Sequence, residues 1–138
     1  MCLQIAWRSG SNACLHQKKN QWVILAERDQ RLCGFVCAYG NDDPEWGTLI
    51  DNLHVRIDKK RLGIGKRLMA EVAKWSIQNY PDAGLYLSVL APNTPARRFY
   101  ESLGAQNQSS SLWEPPGGGE VVDLRYVWAD IHTLLNAI

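Results

Sequence analysis

Between Arg56 and Arg67 the chain gathers six cations, Arg56, Lys59, Lys60, Arg61, Lys66 and Arg67, against one acid, Asp58. Within that run, Lys60-Arg61-Leu62-Gly63-Ile64-Gly65-Lys66 sets two glycines at the start of an apolar repeat of helical period. A helix N-terminus carries unpaired backbone N–H groups and a partial positive charge, and glycines let an anion approach that backbone with no Cβ in the way. The chemistry open to such a segment is the holding of phosphate. The plainer alternative is a Gly-x-Gly turn among solvated basic residues. A Walker A loop is disfavoured because Gly-Lys-Ser/Thr is absent, and a dinucleotide fingerprint because there is no third glycine and the unit follows antiparallel strands.

Proton transfer has its own candidates. Tyr100 carries a phenol that is neutral at pH 7 and can give up a proton; the plainer alternative is a core residue on the helical stripe with Ala96 and Leu103. Asp51 stands two and four residues before Leu53 and Val55, so strand alternation puts it on their face, either as a base or as a structural carboxylate. Glu45 and His54 are weaker candidates for the base.

The elements that must position these residues follow from the pattern. Trp22 to Ala26 and Leu32 to Tyr39 are rich in β-formers and flank a turn at Arg28-Asp29-Gln30, which predicts an antiparallel hairpin. Gly40 to Pro44 reads as a loop, Thr48 to Val55 as a third strand. Ile64, Leu68, Met69, Val72 and Trp75 recur at three- and four-residue steps, which predicts a helix from Ile64 to Tyr80, stopped by Pro81. Leu85 to Leu90 is a nearly continuous apolar run, as in a parallel strand covered on both faces. Asn93 caps a short helix with Pro95 in its first turn and Gly104 as its stop. A loop at Glu114 to Gly119, a strand from Val121 to Trp128 and a helical turn at Ile131 to Asn136 complete the tail. Ahead of Gln21 the only element assigned is a helical turn around Gln4 to Arg8.

Bulk properties set the bounds. A chain of 138 residues, 46% hydrophobic and 21% charged, fits one domain spanning 1–138, and a net charge of +1 leaves electrostatics a local matter. The four cysteines, at 2, 14, 33 and 37, form no CxxC pair. Cys33 and Cys37 lie four apart on a predicted strand and so share a face; small buried thiols, a metal pair and a redox pair are the alternatives. No apolar run approaches the roughly 20 residues that span a bilayer. These features lead us to expect a soluble, cytoplasmic protein with no membrane partner.

Asn93-Thr94-Pro95-Ala96-Arg97-Arg98-Phe99-Tyr100 with Leu103-Gly104 following, and Lys60-Arg61-Leu62-Gly63-Ile64-Gly65 after a strand ending in Val55, together resemble the paired motifs of the GNAT superfamily of N-acetyltransferases. Those motifs are Asn-x-x-Ala-x-x-x-Tyr and Arg/Gln-x-x-Gly-x-Gly/Ala, and the resemblance covers roughly residues 21 to 128. It implies a mixed α/β fold, flanked by helices, whose sheet starts antiparallel and becomes parallel and splayed around Val55 and Leu90. It implies acetyl-CoA as co-substrate, with the backbone of Leu53, His54 and Val55 along the pantetheine arm. Lys60, Arg61, Leu62, Gly63, Ile64, Gly65 and Lys66 would hold the pyrophosphate, and Asn93 would touch the cofactor. Tyr100 would protonate the departing thiolate after direct attack by a primary amine of a small molecule or peptide, with no metal.

Two departures qualify the match. Ser88 stands where some relatives place a Glu, and only about 20 residues precede the Trp22 strand, where members usually have a strand and two helices that wall the acceptor site. A shortened N-terminal part implies an acceptor site that is open, completed in a homodimer, or lost. Trp113, Tyr126 and Trp128 are candidates to line that site or the interface, or are core. The rival readings are a non-catalytic acyl-CoA-binding module and, less favoured because no aromatic stacking surface accompanies the cluster at 56–67, a nucleic-acid-binding protein.

Overall fold

The computed structural model describes residues 4–8 (as backbone), 20–56, 58 and 63–138. The order is β1 (Gln4–Arg8), β2 (Gln21–Arg28), β3 (Arg31–Asp43), β4 (Gly47–Val55), α1 (Ile64–Asn79), β5 (Leu85–Leu90), α2 (Thr94–Ser102), β6 (Gln106–Trp113), β7 (Val121–Trp128) and α3 (Ile131–Asn136). Among the described residues one seven-stranded sheet runs β1-β2-β3-β4-β5-β7-β6, with the β4–β5 pair parallel and the others antiparallel. No described helix is long and apolar enough to cross a membrane.

The helices pack on one face. Ile64, Leu68, Met69, Val72 and Ala73 of α1 and Ile131 and Leu134 of α3 bury against Ile24, Val36, Ile50, Leu85, Leu87, Leu124 and Trp128 of the sheet. The predicted α1 stripe is thus the core stripe, and each large side chain buried there contributes about 1.5–3 kcal/mol. Trp75 stacks on Trp22 with ring centroids 4.6 Å apart. On the opposite face a smaller cluster joins Val23, Cys37 and Tyr39. Tyr126 and Trp128 are core, whereas Trp113 is 45% exposed.

The parallel pair depends on close backbone contact. Gly47, with φ 94°, lies directly against the backbone of Gly84, and the Thr48 N–H donates to the Gly84 carbonyl at 2.9 Å. Pairing holds only at Thr48–Leu85 and Leu49–Tyr86. Beyond it the strands part, with Leu53 and Val55 on one side and Leu87 to Leu90 on the other, which is the splay the resemblance implies.

Several local expectations are corrected. Gln4–Arg8 is a strand on the edge of β2, not a helical turn, because ladder hydrogen bonds outweigh weak local propensity. β3 runs on to Asp43, so the segment from Gly40, expected as a loop, is mostly strand: the Gly40 N–H reaches the Asn20 carbonyl and the Asn41 N–H reaches Thr48 Oγ1. Cys33 and Cys37 do not share a face. Cys33 is skipped in the β2–β3 register, where Glu27 pairs with Leu32 and Ala26 with Gly34, so the bulge puts Cys33 in the helix-side core and Cys37 in the opposite cluster. The β5 run is covered on both faces only at its start, where Leu85, Tyr86 and Leu87 are buried; beyond it Ser88 and Leu90 are exposed while Val89 stays in the core. β6, exposed throughout and polar up to Leu112 and Trp113, has no apolar alternation to announce it and forms against β7.

Candidate active site

The start of α1 breaks the usual capping rules. Gly63 occupies the N-cap in the left-handed region (φ 78°, ψ 10°), no side chain caps the helix, and no acid stands in the first turn. Lys66 and Arg67 stand there instead, at the positive end of the helix dipole, an arrangement that an anion would relieve. By contrast α2 and α3 are capped by Asn93 and Asp130. A Cβ built on Gly63 would meet nothing within 4 Å among the described residues. The backbone there opens to solvent and leaves room for phosphate oxygens, so the residues fit a phosphorylated ligand. Ile64 is buried as the first core residue of α1, and Lys66 is exposed. Lys60, Arg61 and Leu62 lie outside the described residues.

Three elements converge beside this cap. A Cβ on Gly65 would lie 3.2 Å from Phe99 Cζ and 3.8 Å from Val55 Cγ2, so the end of β4, the first turn of α1 and the middle of α2 touch at one point. Tyr100 follows Phe99, its ring edge-on to Phe99 at 5.2 Å and to Trp128 at 6.2 Å. Leu53, Val55, Ala91, Ala96, Phe99 and Tyr100 form a partly buried apolar rim on the core where β4 and β5 separate. Phe99, the residue that joins cap and tyrosine, was not singled out from sequence; its place in the motif beside Tyr100 was the available signal. Burial pushes the Tyr100 phenol up to about 12, so it holds its proton at neutral pH.

The other candidates divide. His54 is exposed, its ring 5.8 Å from that of Phe35, and pairs across β3 with Phe35. Asp51 is exposed and skipped in the β3–β4 register, where Ala38 pairs with Ile50 and Cys37 with Asn52. Strict alternation therefore does not carry from Asp51 to Leu53 and Val55; the bulge beside the splay sets its direction instead. Glu45 precedes β4, at the end of the strand opposite Val55 and the cap. The Asn93 side-chain oxygen accepts the Ala96 N–H at 3.3 Å, which leaves its amide nitrogen as the group for a ligand. Ser88, exposed on β5, pairs with Arg125 of β7.

Comparison with known proteins points the same way. No curated protein matches the chain in sequence. Among solved structures, Arabidopsis thaliana NAA60 in complex with a bisubstrate analogue is similar at 26% identity and TM-score 0.65, over 80% of this chain and 75% of that one. The Escherichia coli ribosomal-protein-S18-alanine N-acetyltransferase shares the fold at 20% identity and TM-score 0.65, over 80% of this chain and 70% of that one. A Bacillus anthracis protein solved with acetyl coenzyme A does so at 23% and TM-score 0.71, over 80% of this chain, which spans 63% of its length. The sequence model of the acetyltransferase (GNAT) family matches residues 3–105, which contain the cap at Gly63, the splayed strands and Tyr100. An uncapped helix with a glycine cradle and a tyrosine beside a splayed parallel pair are here the features of a chain that belongs to the GNAT family of acetyltransferases.

Proposed function

We propose that the protein is an N-acetyltransferase that moves the acetyl group of acetyl-CoA directly onto a primary amine of a small molecule or peptide. The observation that supports this reading is the convergence of Val55, Gly65 and Phe99, which brings the uncapped start of α1 near Tyr100, whose phenol holds its proton at neutral pH. In it, backbone groups of Leu53, His54 and Val55 on the separated edge of β4 pair with the two pantetheine amides as a strand would. Lys60, Arg61, Leu62, Gly63, Ile64, Gly65 and Lys66 hold the pyrophosphate, and the Asn93 amide steadies the arm from α2. Tyr100 gives its proton to the departing thiolate. Asp51, exposed at the β4 bulge, accepts the proton that the acceptor ammonium must lose. The proposed setting is the cytoplasm, as one domain, with a homodimer as the form that closes the acceptor side. Relatives solved with acetyl-CoA support the cofactor assignment.

Ser88, standing where some relatives carry a Glu, favours a second reading, a CoA-binding module without turnover. Calorimetric titration with acetyl-CoA against dephosphorylated pantetheine tests the cofactor site, and a thiol-release assay across an amine panel separates the two readings. Tight, phosphate-dependent binding with thiol release is expected. Absence of binding refutes the enzyme reading, and binding without release to any amine favours the module.

A further inference from the structure

In the reading above the cradle at Gly63 holds the pyrophosphate, yet the same end of the sheet assembles a second cationic site. Arg28 and Arg31 flank the tight β2–β3 turn, whose Asp29 and Gln30 adopt φ of 53° and 63°. Because β3 is antiparallel to β4, the start of β3 lies beside the end of β4, and the Arg56 N–H donates to the Cys33 carbonyl at 2.8 Å. That bond ties the beginning of the β4–α1 connection to the hairpin. As a result Arg28, Asp29, Arg31, Arg56 and Asp58 line one surface cavity of about 390 Å³.

Three guanidinium groups there face two carboxylates. Arg56 pairs with Asp58 at 2.9 Å, but both side chains are about half exposed, at 43% and 52%, and an ion pair this wet exchanges readily for a better anion. The exposed Arg31 guanidinium has no ion pair or hydrogen bond among the described residues. A planar guanidinium fork matches phosphate oxygens two at a time, and a phosphomonoester carries close to two negative charges at neutral pH. CoA bears such a group on its ribose, separate from the diphosphate, and the connection that begins with Arg56 and Asp58 ends at Gly63.

We propose that the cavity between the β2–β3 turn and the end of β4 is the subsite for the ribose phosphomonoester of CoA, with Arg31 as its principal ligand and Arg28 and Arg56 at its sides. This rests on the cofactor reading above and extends it to residues outside the two motifs.

The test compares CoA with 3′-dephospho-CoA by calorimetry, on the full chain and on Arg31→Ala and Arg31→Lys. The expected result is that the unaltered protein binds CoA roughly tenfold more tightly than 3′-dephospho-CoA. Arg31→Ala removes that preference by weakening CoA alone, and Arg31→Lys restores part of it. Equal affinity for the two ligands in the unaltered protein, or equal weakening of both by Arg31→Ala, overturns the subsite while leaving the cradle intact. Failure of both ligands to bind the unaltered, folded protein overturns the cofactor reading and the subsite with it.

Discussion

Replacing Gly63 by Glu puts a side chain and a negative charge into the proposed cradle. A Cβ at this position meets nothing within 4 Å among the described residues, so the substitution clashes with none of them. The fold bears only the left-handed backbone, φ 78°, at about 1–2 kcal/mol for a residue with a Cβ. The effect on binding is electrostatic and steric. Two unit charges 4 Å apart repel by about 1 kcal/mol in bulk water and about 4 kcal/mol at an effective dielectric of 20. A carboxylate facing a diphosphate therefore weakens acetyl-CoA by at least about 1.4 kcal/mol, or tenfold. Gly63→Ala carries the same strain without the charge and isolates the backbone contribution. The assay is calorimetric titration, with thermal unfolding of both variants as a check on folding. A folded Gly63→Glu protein that binds acetyl-CoA as tightly as the unaltered chain would show that the phosphates lie elsewhere.

Other consequences are as direct. Tyr100→Phe loses no hydrogen bond to a described residue, so its melting temperature should hold at neutral pH while turnover falls about a hundredfold or more; unchanged turnover refutes the acid role. The Tyr100 pKa is raised to about 12, and its stabilising contribution, complete below the ordinary tyrosine value, is lost as pH rises toward 12. Tyr100→Phe should accordingly flatten the decline of stability in an alkaline denaturant series, and an identical decline in both proteins refutes the assignment. Gly47→Ala drives a Cβ into the Gly84 backbone at a positive φ, and urea unfolding should show a loss of about 3 kcal/mol or more; a loss below about 1 kcal/mol would mean that the β4–β5 contact yields freely. Asp51→Asn should lower kcat/KM about a hundredfold, as expected for loss of a general base, and unchanged turnover transfers the proton to water.

The elements that position the site were legible because their signals are local. Isoleucine, leucine and valine at helical steps define α1, Asn93 with Pro95 and Gly104 punctuate α2, and two glycines ahead of a helix read as an anion cradle from backbone chemistry alone. The family, too, was readable from two motifs at their separation. What sequence could not supply is whatever depends on pairing between distant segments. The bulges at Cys33 and Asp51 arise from register, so alternation misdirected the two cysteines and does not carry Asp51 onto the face of Leu53 and Val55. Gln4–Arg8 and β6 carry weak local patterns and exist because β2 and β7 offer them hydrogen-bonding edges. Arg28, Arg31 and Arg56 are spread over 29 positions and meet only because antiparallel pairing folds the β2–β3 turn back beside the end of β4. Local propensity fixes which residues can form a helix, cap or cradle, since that depends on neighbours a few bonds away. Which cradle lies beside which tyrosine is decided by long-range packing, where burial and ladder hydrogen bonds outweigh the preferences of any single segment.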